Sequence, residues 1–340
     1  MAMKVFIRPL LLLGLSAWVG RAHSGEKPFF RSGDHVAFIG NTLVERSRHF
    51  GEIETALQLA AGPGVSGLVF RNIGWSGDSV YGDARSYFGT PSEGRERLSQ
   101  VLKMIQPQVV FVCYGTGAAM SVDQGWTNEP IAAKLSAGGL VKSLTAFREG
   151  YEQMLDRIHD SSGKGLRDVV LLSPPPLENL GPPLPDQRQN NKNLARFRDV
   201  IRDLAKEKGL GFIDLFGRMG GDDFSGKISK DPLTDDGIHF GDEGYRLIAR
   251  QIVEGLGYQN RDEVRDSAQQ IARLRGMIVE KNELFFNRWR PANETYLFLF
   301  RKHEQGQNAK EIPEFDPLIK AREKQIAELR SRILKGRVKQ

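Results

Sequence analysis

The fold is decided by a nine-residue stretch near the N-terminus, which reads His35-Val36-Ala37-Phe38-Ile39-Gly40-Asn41-Thr42-Leu43. Its first five residues are mostly apolar and alternate little, which is typical of a parallel strand covered on both faces. A helical pattern begins at Leu43, directly after the polar residues. A strand that passes at once into a helix is the repeating unit of α/β proteins.

The same unit recurs along the chain. Four further apolar runs are short and rich in Val, Ile and Phe: Leu68–Ile73, Val109–Tyr114, Val169–Leu172 and Phe212–Leu215. Amphipathic helical patterns lie between the runs: Leu43–Ala61, Arg95–Gln106, Leu144–Ser162, Asn191–Lys208 and Glu243–Leu256. This alternation predicts a three-layer α/β/α protein with a doubly wound parallel sheet and right-handed crossovers. Ligands bind such sheets at the carboxyl ends of the strands.

The two ends of the chain differ from this body. Residues 1–24 have the pattern of a signal peptide, with a basic start, an apolar run over Leu10–Gly20 and small residues at Ala22 and Ser24. An uncleaved N-terminal anchor is the alternative. The α/β domain is predicted over residues 33–257, and residues 258–340 are predicted to form a helical C-terminal extension. We therefore expect an exported protein, periplasmic or extracellular.

The charge, apolar content and motifs of the sequence limit the classes of function that the protein could have. The net charge is +6, but residues 25–319 hold 37 basic and 40 acidic residues, so a nucleic-acid partner is not expected. After the first 24 residues no stretch is apolar enough to span a membrane. Cys113 is the one cysteine and lies in an apolar strand, so it is predicted to be an inert buried thiol. The sequence contains no phosphate-binding loop, dinucleotide fingerprint or metal-ligand cluster, and no cofactor is expected.

Four polar segments stand in the loops beside the predicted strands and before the last helix of the domain. They read Gly40-Asn41-Thr42-Leu43, Asn72-Ile73-Gly74-Trp75-Ser76-Gly77-Asp78, Tyr114-Gly115-Thr116-Gly117 and Asp236-Gly237-Ile238-His239. In this order they resemble the SGNH (GDSL-type) hydrolase superfamily, whose blocks are Gly-Asp-Ser-Leu, a Ser-Gly-Asp-like segment, Gly-x-Asn and Asp-x-x-His. The resemblance spans residues 33 to about 257 and is nearest to an exported bacterial branch. It implies the strand order 2-1-3-4-5.

The resemblance implies acyl transfer at this edge of the sheet. Thr42 occupies the position of the nucleophilic serine, His239 would remove its proton, and Asp236 would hold the imidazole in the required tautomer. The other candidates, for oxyanion stabilisation or substrate binding, are Asn41, Gly77, Gly117, Asn72 and Asp78.

Two positions depart from the family pattern. The additional methyl group of Thr42 stiffens its side chain and crowds the attack path, and the alternative role for Thr42 is a helix N-cap. Gly117 stands where the family has an asparagine, so one oxyanion donor is absent, although the backbone amides of Thr42 and Gly77 remain.

The leading hypothesis is a carboxylic-ester hydrolase, with acylated carbohydrates as the suggested substrates. The alternative is a catalytically weakened protein of the same fold that binds a glycan or another exported protein. A third hypothesis makes the C-terminal extension an interaction module. Its segments 288–290 and 301–304 would either fold over the cleft and supply donors or form a solvated charged face.

Overall fold

The computed structural model describes residues 28–86, 89–122, 139–259 and 268–338, so the predicted signal peptide lies outside the described residues. The described residues form a five-stranded sheet in which every neighbouring pair is parallel. Its strands are β1 His35–Gly40, β2 Val69–Asn72, β3 Val109–Cys113, β4 Asp168–Leu172 and β5 Gly211–Ile213. Their order is β2-β1-β3-β4-β5, which confirms the predicted order.

Helices cover both faces of the sheet. Those of the α/β body are α1 Thr42–Phe50, α2 Glu52–Ala60, α3 Pro91–Ile105, α4 Thr116–Met120, α5 Gly139–Ser161, α6 Arg188–Lys208, α7 Leu215–Arg218 and α8 Asp242–Gly255. Apolar residues of α3, α5 and α6 pack on one face of β1, against Ala37 and Ile39. Residues of α2 and α8 pack on the other face, against Val36 and Phe38. The predicted three-layer α/β/α architecture is confirmed.

One helix prediction was wrong. The pattern over Leu43–Ala61 predicted a single helix, but α1 ends at Phe50 and α2 begins at Glu52. Gly51 between them has φ +68°, the left-handed conformation that ends a helix and that glycine adopts at least cost. Its N–H donates to the Ser47 carbonyl and closes the last turn of α1. The apolar positions continue in phase across this break, which is why periodicity alone did not reveal it.

The C-terminal extension consists of helices packed on the α/β body. They are α9 Ala268–Trp289, α10 Glu294–Leu297, α11 Lys302–Gln305 and α12 Phe315–Val338. α9 and α12 share an apolar cluster that includes Leu274, Ile278 and Ile333. Lys281 of α9 is buried and donates to Glu54 at 2.8 Å and to the carbonyl of Phe70 at 3.0 Å. The extension therefore covers β2, the edge strand of the sheet.

A single buried arginine joins the last helix to the loop that leads into β2. The guanidinium of Arg330 donates to the carbonyls of Gln58 at 2.6 Å, Gly62 at 2.7 Å and Val65 at 2.7 Å. These carbonyls lie at the end of α2 and in the turn that follows, where helix carbonyls lack intrahelical partners. None of the helices in the described ranges contains an apolar run that could span a bilayer.

Candidate functional site

A cavity of about 210 Å³ opens at the carboxyl edge of the sheet. Its walls come from the residues that follow β1, β2, β3 and β4 and from the loop before α8. They are Asn41, Thr42, Leu43, Arg46, Gly77, Asp78, Thr116, Gly117, Met120, Pro175, Leu177, Ile238, His239, Phe240 and Tyr245. The cavity thus brings together residues from all four polar segments of the sequence, in the place where a doubly wound sheet binds ligands.

Thr42 is the first residue of α1 and lines this cavity. The residue that caps the helix is Asn41, whose Oδ1 accepts the Leu43 N–H at 3.4 Å. The alternative role of Thr42 as the N-cap is therefore wrong. Its hydroxyl makes no hydrogen bond within the described part of the chain. Its backbone N–H lies in the first turn of a helix, where amides lack intrahelical partners and the helix dipole favours negative charge.

His239 and Asp236 form a hydrogen-bonded pair in the loop before α8. The imidazole Nδ1 lies 2.6 Å from Asp236 Oδ2. The other carboxylate oxygen, Oδ1, accepts the N–H groups of Ile238 at 3.0 Å and His239 at 2.9 Å. Partial burial acts to raise the pKa of the Asp236 carboxyl, but the hydrogen bonds from His239 and Ile238 outweigh it and hold that pKa below its usual value. An ionised Asp236 places the ring proton on Nδ1 and leaves Nε2 as the proton acceptor.

A buried glutamate fixes the start of this loop. Glu178 accepts hydrogen bonds from the Leu233 N–H, the Thr234 N–H at 2.8 Å and the Thr234 hydroxyl at 2.6 Å. The Thr234 hydroxyl oxygen in turn accepts the Gly237 N–H at 3.0 Å. Glu178 lies in the proline-rich segment after β4, so it ties two loops of the cavity together. Sequence reasoning missed Glu178, because its partners are 55 and 56 residues away.

The loop after β2 packs against the first turns of α1. A Cβ atom on Gly74 would lie 2.3 Å from the Glu45 nitrogen, so only glycine fits there. Asn72, a predicted candidate, is not among the residues that line the cavity. Its amide instead donates to the Val44 carbonyl at 2.6 Å and the Ser47 hydroxyl at 3.0 Å, and thereby joins the loop to the helix.

Gly77 is exposed, lines the cavity and has φ +78°. Its N–H makes no hydrogen bond to any residue that the structure describes. The sequence predicted the backbone amides of Thr42 and Gly77 as oxyanion donors, and this is the second of them. The space in front of it is open, since an added Cβ would meet nothing within 4 Å.

Asp78 lines the cavity but takes part in a buried ion pair. Its Oδ2 accepts from Arg85 Nε at 2.7 Å and from the Tyr114 hydroxyl at 2.7 Å. Burial raises the pKa of the Asp78 carboxyl, and the Arg85 guanidinium opposes that shift. For Arg85 burial acts to lower the pKa, but the Asp78 carboxylate raises it above its ordinary value. Arg85 also donates to the Ile73 carbonyl at 3.0 Å, so it links Asp78, the residue directly after Gly77, to the start of this loop.

Gly117 lies in the short helix α4, exposed at the cavity wall. Its φ is not positive, and an added Cβ would meet nothing within 4 Å. Neither backbone conformation nor a neighbouring side chain therefore requires glycine here. The segments 288–290 and 301–304 contribute no residue to the cavity lining, so neither replaces the missing amide there.

Two further cavity residues were not predicted. Arg46 is the one cationic side chain among the cavity residues named above, and it follows Thr42 by one helical turn. Tyr245 of α8 donates from its hydroxyl to the Leu43 carbonyl at 2.7 Å, which links α8 to the start of α1. The i, i+4 spacing from Thr42 was the available signal for Arg46, whereas Tyr245 is 202 residues from its partner. Across the described ranges, no group of three or more His, Cys, Asp or Glu side chains could hold a metal ion.

The sheet order and the polar segments that meet in this cavity define an α/β protein of the SGNH hydrolase type. The chain belongs to the GDSL-like lipase/acylhydrolase family, whose sequence profile matches residues 46–247. The matched region includes the second, third and fourth polar segments and begins four residues after Thr42. The resemblance found in the sequence is thus confirmed at the level of the family, a family of ester-cleaving enzymes.

Two solved structures are similar to this chain at low sequence identity. A gut microbial diltiazem-metabolizing enzyme is 13% identical with a TM-score of 0.60, and the match covers 90% of this chain and 95% of that chain. Axe2, an acetylxylan esterase from Geobacillus stearothermophilus, is 16% identical with a TM-score of 0.49, and the match covers 68% of this chain and 99% of that chain. Among curated proteins, none matches this sequence significantly.

Proposed function

We propose that the protein is a carboxylic-ester hydrolase in which Thr42 is the nucleophile, His239 the general base and Asp236 the residue that orients the base. The observation that carries this proposal is that Thr42 and His239 line one cavity. His239 is hydrogen-bonded to Asp236, and the Thr42 hydroxyl has no hydrogen-bond partner among the described residues. Family membership supports the same chemistry.

The geometry supports a two-step reaction. The Thr42 hydroxyl attacks the ester carbonyl carbon as His239 Nε2 takes its proton, and the imidazolium then protonates the departing alcohol. Water repeats the sequence on the acyl-enzyme and releases the acid and the free hydroxyl. Asp236 stabilises the imidazolium through its 2.6 Å hydrogen bond. The amides of Thr42 and Gly77 are the donors available to the oxyanion in each step.

The suggested substrates are acylated carbohydrates outside the cytoplasm. The carbohydrate part of this proposal rests on the family resemblance, and the N-terminal pattern of residues 1–24 suggests export. After cleavage behind Ser24, N-terminal sequencing of the exported protein would begin at Gly25. An intact N-terminus on the exported protein would leave the anchor alternative instead.

Replacement of Thr42 tests the proposal. Thr42→Ala should reduce hydrolysis of short acyl esters by ~10³-fold or more, because the nucleophile is removed, whereas Thr42→Ser should retain or increase it. Thr145→Ala removes an exposed threonine hydroxyl that does not line the cavity and is the matched control. Full activity in Thr42→Ala would exclude Thr42 as the nucleophile.

The absence of a side-chain amide at Gly117 favours a second candidate function. A site that lacks one oxyanion donor loses ~10²–10³ in rate, and a protein that keeps the cavity can still bind its ligand. In that case the protein recognises a glycan or another exported protein without cleaving it. Calorimetric titration with acetylated oligosaccharides distinguishes the two functions: binding without release of acetate supports the second.

A further inference from the structure

A glutamate beside the proposed nucleophile connects the loop after β2 to the C-terminal extension. Glu45 lies in the first turn of α1, three residues after Thr42. Its Oε2 accepts the Ser76 N–H at 2.7 Å and lies 2.7 Å from Arg290 Nη1. The side chains of Glu45 and Arg290 are only 16% and 17% exposed. This carboxylate therefore holds the residue that immediately precedes Gly77.

The arginine that pairs with Glu45 also holds the neighbouring tryptophan. The Arg290 guanidinium lies 3.5 Å from the centroid of the Trp75 ring, within cation–π distance. Trp289 contacts the same ring edge-on, with the ring centroids 5.8 Å apart. Trp75 is 3% exposed, and its backbone N–H donates to the Gly40 carbonyl at 2.9 Å. The extension thus contacts the Trp75 ring through Arg290 and Trp289, and the end of β1 binds the Trp75 backbone.

Among residues 76–78, these contacts leave one backbone amide unoccupied. The Ser76 N–H is bound by Glu45, and the Asp78 N–H donates to the Trp75 carbonyl at 3.0 Å. Between them, the Gly77 N–H has no partner among the described residues. A donor between two fixed neighbours does not reorganise during the reaction, which is the condition for effective oxyanion stabilisation.

We propose that Arg290 and Glu45 are positioning residues that hold the Gly77 N–H as an oxyanion donor, so that the C-terminal extension is part of the catalytic apparatus. This inference rests on the proposed function. Neither residue touches the substrate; Arg290 acts through Glu45 and Trp75. A donor used in the transition state and not in the ground state affects kcat and leaves KM unchanged.

The test compares two arginines at the end of the same helix. Arg290→Leu should lower kcat for short acyl esters by ~10- to 100-fold at constant KM, since one donor is loosened and not removed. Arg290→Lys keeps the charge beside Glu45 but loses the planar stacking on Trp75. Its kcat should therefore lie between that of the wild type and that of Arg290→Leu. Arg288→Leu is the matched control, because Arg288 pairs with Asp316 at 3.0 Å and, among the described residues, makes no hydrogen bond or ion pair with residues 75–78.

Kinetics and thermal unfolding are measured on the full-length chain for each variant. A fall in kcat for Arg290→Leu, with wild-type kcat for Arg288→Leu at a similar loss of Tm, supports the inference. Wild-type kcat in a folded Arg290→Leu or Arg290→Lys protein would overturn it, as would an equal loss of kcat in Arg288→Leu. Wild-type protein without activity on any ester would remove the proposed function instead. Amide hydrogen exchange then decides the positioning: equal exchange at the Ser76 amide, which donates to Glu45, in the wild type and Arg290→Leu overturns it.

Discussion

Gly117→Asn places a side-chain amide at the position where the family carries one, and it tests the altered site directly. The structure allows the change, because Gly117 has no positive φ and an added Cβ meets nothing within 4 Å. Asparagine costs a helix no more than glycine does, so stability should not fall. Thr42→Ser can be combined with it to relieve the crowding at the proposed nucleophile.

The size of the effect follows from two opposing contributions. One side-chain oxyanion donor contributes ~10²–10³ to kcat, about 3–4 kcal/mol. Ordering a free side chain costs about 1 kcal/mol, because rotamer freedom is lost. The remaining 2–3 kcal/mol corresponds to a gain of ~30- to 150-fold in kcat.

The assay is steady-state hydrolysis of a short acyl ester by wild type, Gly117→Asn and the double variant with Thr42→Ser. Gly276→Asn is the matched control, since Gly276 is also an exposed helical glycine with open space around its Cβ, on α9. An unchanged kcat in folded Gly117→Asn and in the double variant would refute the reasoning and favour the binding function. A gain in Gly276→Asn as well would show that the effect does not arise in the cavity.

Three further predictions concern single contacts. Asp236→Asn should lower kcat by ~10³- to 10⁴-fold without unfolding the protein, because the amide no longer holds the required tautomer of His239; circular dichroism checks the fold, and unchanged kinetics would exclude the pair from the mechanism. Burial raises the pKa of the Cys113 thiol to about 12, so the reactive thiolate is absent at pH 8. A disulfide reagent should therefore react with Cys113 only after unfolding, and fast reaction with the native protein would contradict the burial of this thiol. Lys281→Met leaves Glu54 buried without its partner, so it should lower the free energy of unfolding by about 3–5 kcal/mol. Urea titration measures this loss, and the double variant with Glu54→Leu should recover most of it.

Strand positions could be predicted because both faces of the sheet are buried. Each strand then needs an uninterrupted apolar run, and β3 is such a run of five fully buried residues. The strand order came from the family resemblance, because no local pattern encodes which strands are neighbours. The predicted helix boundaries were less accurate than the predicted strand positions. The break at Gly51 depends on a left-handed backbone conformation, which the apolar pattern of the sequence does not show.

The polar segments indicated which residues would meet, since the carboxyl ends of parallel strands lie at one edge. Thr42, Gly77, Gly117 and His239 do line one cavity. Their catalytic roles stay predictions. The supporting contacts could not be inferred, because Glu178 and Arg290 reach the loops of the site from segments that are distant in sequence. A residue that supports a loop carries no local pattern of its own.

The three carbonyls that Arg330 binds have a consequence for the order of folding during synthesis. The arginine lies 265 to 272 residues after its partners. A chain elongates at ~5–20 residues per second, so the segment after α2 exists for many seconds before its last hydrogen-bond donor leaves the ribosome. Until then the carbonyls of Gln58, Gly62 and Val65 lack this buried donor. The contacts of α12 with the end of α2 therefore form later than the contacts within the sheet, and a chain that stops short of residue 330 leaves these three carbonyls without the Arg330 guanidinium.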